Sequence, residues 1–321
     1  MAEARAVRMR GYGLVLLAAA CWASGGLTAK WLFTEATAET AAWPVPPLGI
    51  TIDPTALSAG RAFAACVILL AYLLVFRREA LVVRPKDLPF LAVFGVVGLA
   101  AVHYTYFKTI SLTNVATAIL LEYLAPVLVL IVGVVFMKHR WTWSLPAGVA
   151  LSVTGCALVV GAIGGEGLVV SPAGVAWGLA SAVFFAAYSL MGSVAAKRFT
   201  PYTTLVYGLG FASLFWLLVL GPESTIQLLA VPESLAAVVF LAVVSTVVPF
   251  SAFLMALKYI PPTNATVTST VEPALAGIGA FVLFGESLTA AQLLGGLLVL
   301  AAIAIVQLPE RDPAPILPPP D

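Results

Sequence analysis

Two glutamates interrupt otherwise apolar runs of this chain. Glu122 lies in TNVATAILLEYLAPVLVLIVGVVF, opening at Thr113, and Glu272 lies in TNATVTSTVEPALAGIGAFVLF, opening at Thr263. An unpaired carboxylate in an apolar medium is costly, so such an acid faces water or a cation, and burial favours its proton-bound form. A proton-coupled carrier uses that property; the structural alternative is a neutral acid that hydrogen-bonds two helices together. Pro126 and Pro273 follow the acids closely. Each lacks an amide hydrogen, so each frees a carbonyl one turn back and kinks its helix.

The cations closest to this chemistry are Lys30 and Arg61. Both fall in the outer parts of their helices, where a long side chain reaches the headgroups; pairing with Glu122, or with a solute carboxylate, is the chemical alternative. His103 and Tyr106 share a helix face, and with Tyr123 they are candidates for lining a pocket. Trp177 and Tyr188 are further lining candidates.

Several chemistries are excluded. There is no phosphate-binding loop, no HExxH and no paired-cysteine motif, and two histidines without nearby acids make no metal site. Gly208-x-Gly210-x-x-Ser213 lacks the third glycine of a dinucleotide fingerprint. Asn264-Ala-Thr266 reads as a glycosylation sequon but opens an apolar run. No cofactor and no nucleic acid is implied. Cys21, Cys66 and Cys156 all fall inside apolar runs and read as packing residues.

The elements that hold these residues follow from composition. With 61% hydrophobic and 10% charged residues over 321 positions, and a mean hydropathy of +1.05, the chain belongs in a lipid bilayer. Ten apolar runs of about 20 to 24 residues, each long enough to cross ~30 Å of hydrocarbon, start near Gly11, Ala56, Leu88, Asn114, Ser144, Pro172, Tyr202, Leu235, Asn264 and Thr289. The reading is an all-α membrane protein of ten transmembrane helices. Of the 16 Lys and Arg residues, 13 fall on the side of the N-terminus, which predicts both termini in the cytoplasm.

The chain also repeats itself. Lys108, Ile110, Thr113, Asn114 and Glu122 recur 150 residues on as Lys258, Ile260, Thr263, Asn264 and Glu272, whereas Pro126, Thr142 and Gly148 recur at 147 as Pro273, Thr289 and Gly295. The registers differ by nearly one helical turn, so both keep the two acids on similar faces. Each half holds five crossings, an odd number, so the five-helix repeats are inverted and both acids lie near the midplane.

LLEYLAPVLVLIVGVVF, TVEPALAGIGAFVLFGESLTAAQLLGGLLVLAA and ACWASGGLTAK resemble the EamA family of the drug/metabolite transporter superfamily, over residues 11 to 308. The most specific pieces are Glu272-Pro273, Gly285-Glu286 and Gly295, with Lys30 closing the first helix and Arg61 early in the second. The resemblance implies a bacterial inner-membrane exporter of small metabolites, often amino acids. One departure is Met137-Lys138-His139-Arg140, where the family carries an acid at the end of the fourth helix.

The domain expectation is a cytoplasmic tail 1–10, a first repeat 11–164, a second repeat 165–308 and a disordered Pro-rich tail 309–321. The acidic, Pro-rich connection from Thr34 to Thr55 reads as an outer loop, with Trp43 as its anchor if it folds over the mouth. The functional expectation is a secondary transporter exporting a small solute by alternating access, with protons as the candidate coupling ion, the bilayer as its surroundings and no protein partner. The competing classes are an intramembrane hydrolase, which needs a serine beside a histidine, and a non-transporting scaffold.

Overall fold

Prolines and short polar side chains set where the helices begin. In the computed structural model, which describes residues 2–38, 40–47, 53–113, 115–137, 141–163, 171–230, 232–285 and 289–307, helices open on Pro54, Pro172, Pro201, Pro232 and Pro262, whose missing N–H costs nothing in a first turn. Asp53 caps one of them, accepting from Thr55 and Ala56 backbone N–H at 2.8 and 3.0 Å. Thr289 and Gln292 form a reciprocal capping box on another.

The helices are α1 (Ala2–Phe33), α2 (Pro54–Phe76), α3 (Leu88–Val93), α4 (Ala101–Leu112), α5 (Val115–Glu122), α6 (Ala125–Val135) and α7 (Ser144–Val159) in the first half. The second half follows with α8 (Pro172–Ala195), α9 (Pro201–Ala230), α10 (Pro232–Ala242), α11 (Val248–Ala256), α12 (Pro262–Ser269), α13 (Glu272–Phe284) and α14 (Ala290–Val306). A π-helical segment, Phe94–Ala100, joins α3 to α4, and a second, Val243–Val247, joins α10 to α11. The pairs α5/α6 and α12/α13 are each one span broken by a short turn.

Among the described residues, eight stretches are long and apolar enough to cross a membrane; α7 and α14, of 16 and 17 residues, complete the ten. Those two are shorter than the sequence suggests and pack against each other through reciprocal glycines: a Cβ on Gly155 would stand 2.7 Å from the Gly295 carbonyl, and one on Gly295 2.6 Å from the Gly155 carbonyl. Such close backbones are typical of helix packing in lipid. Helix α1 runs on from Ala2, through the stretch expected as an N-terminal tail; Ala, Glu, Arg and Met are good helix formers. The tail after Leu308 and the His139 segment lie outside the described residues.

The packing has two-fold character, each helix of the first half matching the one seven further on. α1 packs on α11 as α8 packs on α4, and α1 meets α12 and α13 as α8 meets α5 and α6. α2 pairs with α9, and α7 with α14. α9 lies against the π-segment of the third span, and α2 against that of the eighth. Five spans per half make these two inverted five-helix repeats.

At the Tyr12 end of the bundle, Asn264 Nδ2 donates to Tyr12 Oη at 2.9 Å and to the Val306 carbonyl at 2.7 Å, tying α1, α12 and α14 together. Asp87, 2% exposed, bridges Arg84 and Arg198 there, at 3.2 and 2.5 Å. At the Lys30 end the connection after α1 folds back. The Trp43 ring lies tilted against Phe284, centroids 4.8 Å apart, and Val45 N–H donates to the Leu283 carbonyl at 3.1 Å.

Candidate functional site

The two acids flank helix breaks. Glu122 is the last residue of α5 and Glu272 the first of α13. The intervening turns, Tyr123–Leu124 and Thr270–Val271, are spaced by 147, as are Pro126 and Pro273. Glu272 therefore sits at the positive end of its half-helix dipole and Glu122 at the negative end of its own, so the two acids are not interchangeable.

Tyr123 Oη lies 2.7 Å from Glu272 Oε2 and 2.9 Å from the Ser269 carbonyl. Ser269 stands four residues before Pro273, so its carbonyl is one the proline leaves without a helical partner. Ser181 of α8 donates to Glu122 Oε2.

Arg61 does not reach for headgroups. It is 5% exposed, its Nε donates to Thr246 Oγ1 at 2.5 Å, and its Nη2 donates to the Ser245 carbonyl at 2.6 Å. Both acceptors belong to the π-segment after α10, where i→i+5 winding re-aims backbone groups; Thr246 Oγ1 itself donates to Leu241 O at 2.8 Å. The guanidinium also lies 5.6 Å from the Phe107 ring centroid. The reason is depth: Arg61 lies about two turns inside α2, where the eighth span offers it acceptors nearer than the headgroups.

These residues meet around a cavity of about 50 Å³. Its lining includes Arg61, Glu122, Glu272, His103, Tyr106 and Trp22, with Gly25 admitting the close approach of Ser245. Trp22 Nε1, His103 Nε2 and Tyr106 Oη are buried without a hydrogen-bond partner among the described residues. A site with several unmatched buried polar atoms is shaped for a polar guest. At that volume it holds only a few waters, so any solute of amino-acid size needs it to expand.

Four predicted residues fall outside the cavity lining. Trp177 is half-buried and packs edge-on to Tyr104, 5.3 Å away, because its place early in α8 puts it towards the Lys30 end. Tyr188 is fully buried deeper along α8, among Phe94, Phe185, Phe250 and Phe253. Lys30 sits 5.2 Å over the Phe284 ring at its end of the bundle. Tyr123 is behind Glu272. Sequence reading passed over Trp22, Ser181 and the Ser245–Thr246 pair; a polar dipeptide within LAVVSTVVPF was the available signal.

A family model for EamA-like transporters matches residues 9–161 and again 172–308. The chain belongs to the EamA-like transporter family. Transport, rather than enzymatic catalysis, is thus its class. Over 300 residues it is 26% identical to an uncharacterized inner membrane transporter, YicL, of Salmonella typhimurium, covering 92% of this chain and 95% of that one. It is 27% identical over 238 residues to the threonine/homoserine exporter RhtA of Escherichia coli, covering 68% and 70%. A probable terminal-alkyne amino-acid exporter of Streptantibioticus cattleyicolor is 28% identical over 224 residues, covering 70% and 74%. A solved crystal structure shares the fold at a TM-score of 0.70 and 22% identity, covering 94% of this chain and 98% of that chain.

Proposed function

We propose that this EamA-like transporter exports small zwitterionic solutes, amino acids foremost, from the cytoplasm across a bacterial inner membrane by alternating access of its two repeats, 11–164 and 165–308. The carrying observation is the composition of the central cavity: one buried guanidinium without a carboxylate salt-bridge partner among the described residues, two carboxyl groups, and three unmatched polar atoms. Arg61 offers two-point binding to a solute carboxylate, for which it must trade its contacts to Thr246 and Ser245. Glu122 offers a partner for the solute ammonium, Glu272 exchanges the coupling proton, and His103, Tyr106 and Trp22 complete the donor and acceptor set. The similarity to a threonine/homoserine exporter and to a probable terminal-alkyne amino-acid exporter points the same way. The Tyr12 end, with Arg8, Arg10 and Arg198, is taken as cytoplasmic.

The test is competition for binding to the purified protein. A free amino acid should displace a labelled one, whereas its methyl ester, lacking the carboxylate, and its N-acetyl derivative, lacking the ammonium, should compete at least ~10-fold less well, since an unpaired buried charge remains in each case. Equal competition by the ester and the free acid contradicts zwitterion recognition.

A further inference from the structure

The hydroxyl of Tyr123 faces two acceptors with a single hydrogen. Glu272 Oε2 is 2.7 Å away and the Ser269 carbonyl 2.9 Å. Tyr123 occupies the turn between α5 and α6, while Ser269 and Glu272 bracket the turn between α12 and α13. One phenol thus links the broken span of the first repeat to the broken span of the second.

What the hydrogen does depends on Glu272. When the carboxyl is ionised it takes the phenol hydrogen in a charge-assisted bond, and the Ser269 carbonyl, already without an N–H because of Pro273, is left unpaired. When the carboxyl holds a proton, its own O–H can donate to the phenol oxygen. The phenol hydrogen then turns to Ser269, and all three buried groups are satisfied. No bond beyond the Glu272 O–H forms or breaks; the incoming proton only redirects the existing hydrogens. Among the described residues, the Ser181 hydroxyl that meets Glu122 has no such second acceptor.

We propose that Glu272 is the coupling-proton site and that Tyr123 is a positioning residue that converts its protonation into a change at the α12/α13 break. Proton loading completes the link between the broken spans; proton release leaves Ser269 unpaired and frees the two halves of the ninth span to shift. This rests on the transport reading above. The ionisable groups around Glu272 are Arg61 from α2, His103 and Tyr106 from α4, Glu122 from α5, Tyr123 itself and Cys156 from α7. Among the described residues none of the others hydrogen-bonds the Glu272 carboxyl, so the phenol is its direct reader.

Two measurements on the full-length protein test this. In proteoliposomes, the stimulation of amino-acid flux by a pH gradient, divided by the rate of gradient-free counterflow, should fall about tenfold in Tyr123→Phe, the loss associated with one buried hydrogen bond. An unchanged ratio overturns the proposal. Infrared difference spectroscopy across a pH titration needs no transport. The protonated-carboxyl band that disappears in Glu272→Gln should move towards the free, non-bonded position in Tyr123→Phe, in protein whose thermal unfolding shows it folded. A band that does not move refutes the Tyr123 link, whereas absent flux in wild-type protein with the band shifted refutes the transport reading alone.

Discussion

Arg61 shows how a cation can live inside the bundle without an acid in hydrogen-bond contact. Its Nε and Nη2 reach the π-segment of the eighth span, so its charge is held by a hydroxyl and a carbonyl while its outer face stays in the cavity. Lysine has a shorter reach and one nitrogen in place of the planar fork, so it cannot present two donors to these acceptors and still face the cavity with a third edge. Arg61→Lys should weaken amino-acid binding at least ~10-fold and cost ~1–3 kcal/mol of stability, read by equilibrium binding and by thermal unfolding in detergent. Wild-type affinity in this variant would remove Arg61 from the binding site. The sequence shows a basic residue early in a helix and no more; whether such a side chain climbs to the headgroups or turns inward is decided by the neighbour it meets. Lys30 and Arg61 look alike on paper, yet one lies over Phe284 at the bundle end and the other is buried.

At the scale of elements, proline placement was legible and register was not. Both broken spans could be read from Pro126 and Pro273, but the acids repeat at 150 and the prolines at 147, and only the structure shows the acids on opposite sides of equivalent turns. The π-segments carry no signal of their own in sequence, since they form where other helices dock: α9 places Gly208 against Gly95, and α2 places Arg61 against Ser245 and Thr246. The fifth and tenth spans were expected at full length, and their glycine contact explains how shorter helices still hold. Gly295→Ala puts its Cβ 2.6 Å from the Gly155 carbonyl, a backbone atom that cannot swing away. It should cost ~1–3 kcal/mol, seen as a lower unfolding temperature. An unchanged unfolding temperature would mean that the α7–α14 contact is looser than described.

For the whole molecule, the inverted repeat is legible in residue spacing and hydropathy, whereas the difference between its halves is not. At the 147 spacing, the counterpart of Arg61 is Gly208. One repeat therefore meets a π-segment with a guanidinium beside a cavity, the other with a close glycine contact. The cavity is lined from Trp22 towards the Lys30 end, and the aromatic cluster around Tyr188 and Phe253 fills the Tyr12 side. Orientation has a direct check: tags on the N- and C-termini should both resist impermeant labels in intact cells and react after the membrane is opened, and labelling of either in intact cells would contradict the charge distribution. The central claim is that this cavity carries a solute across the bilayer. Counterflow of labelled L-threonine, alongside a panel of other L-amino acids, in proteoliposomes of wild-type protein and of Glu122→Gln measures it most directly. Saturable counterflow by the wild type, lost in a folded Glu122→Gln variant, is the expected result; no counterflow of any amino acid by the wild type, or full counterflow by the variant, would contradict it.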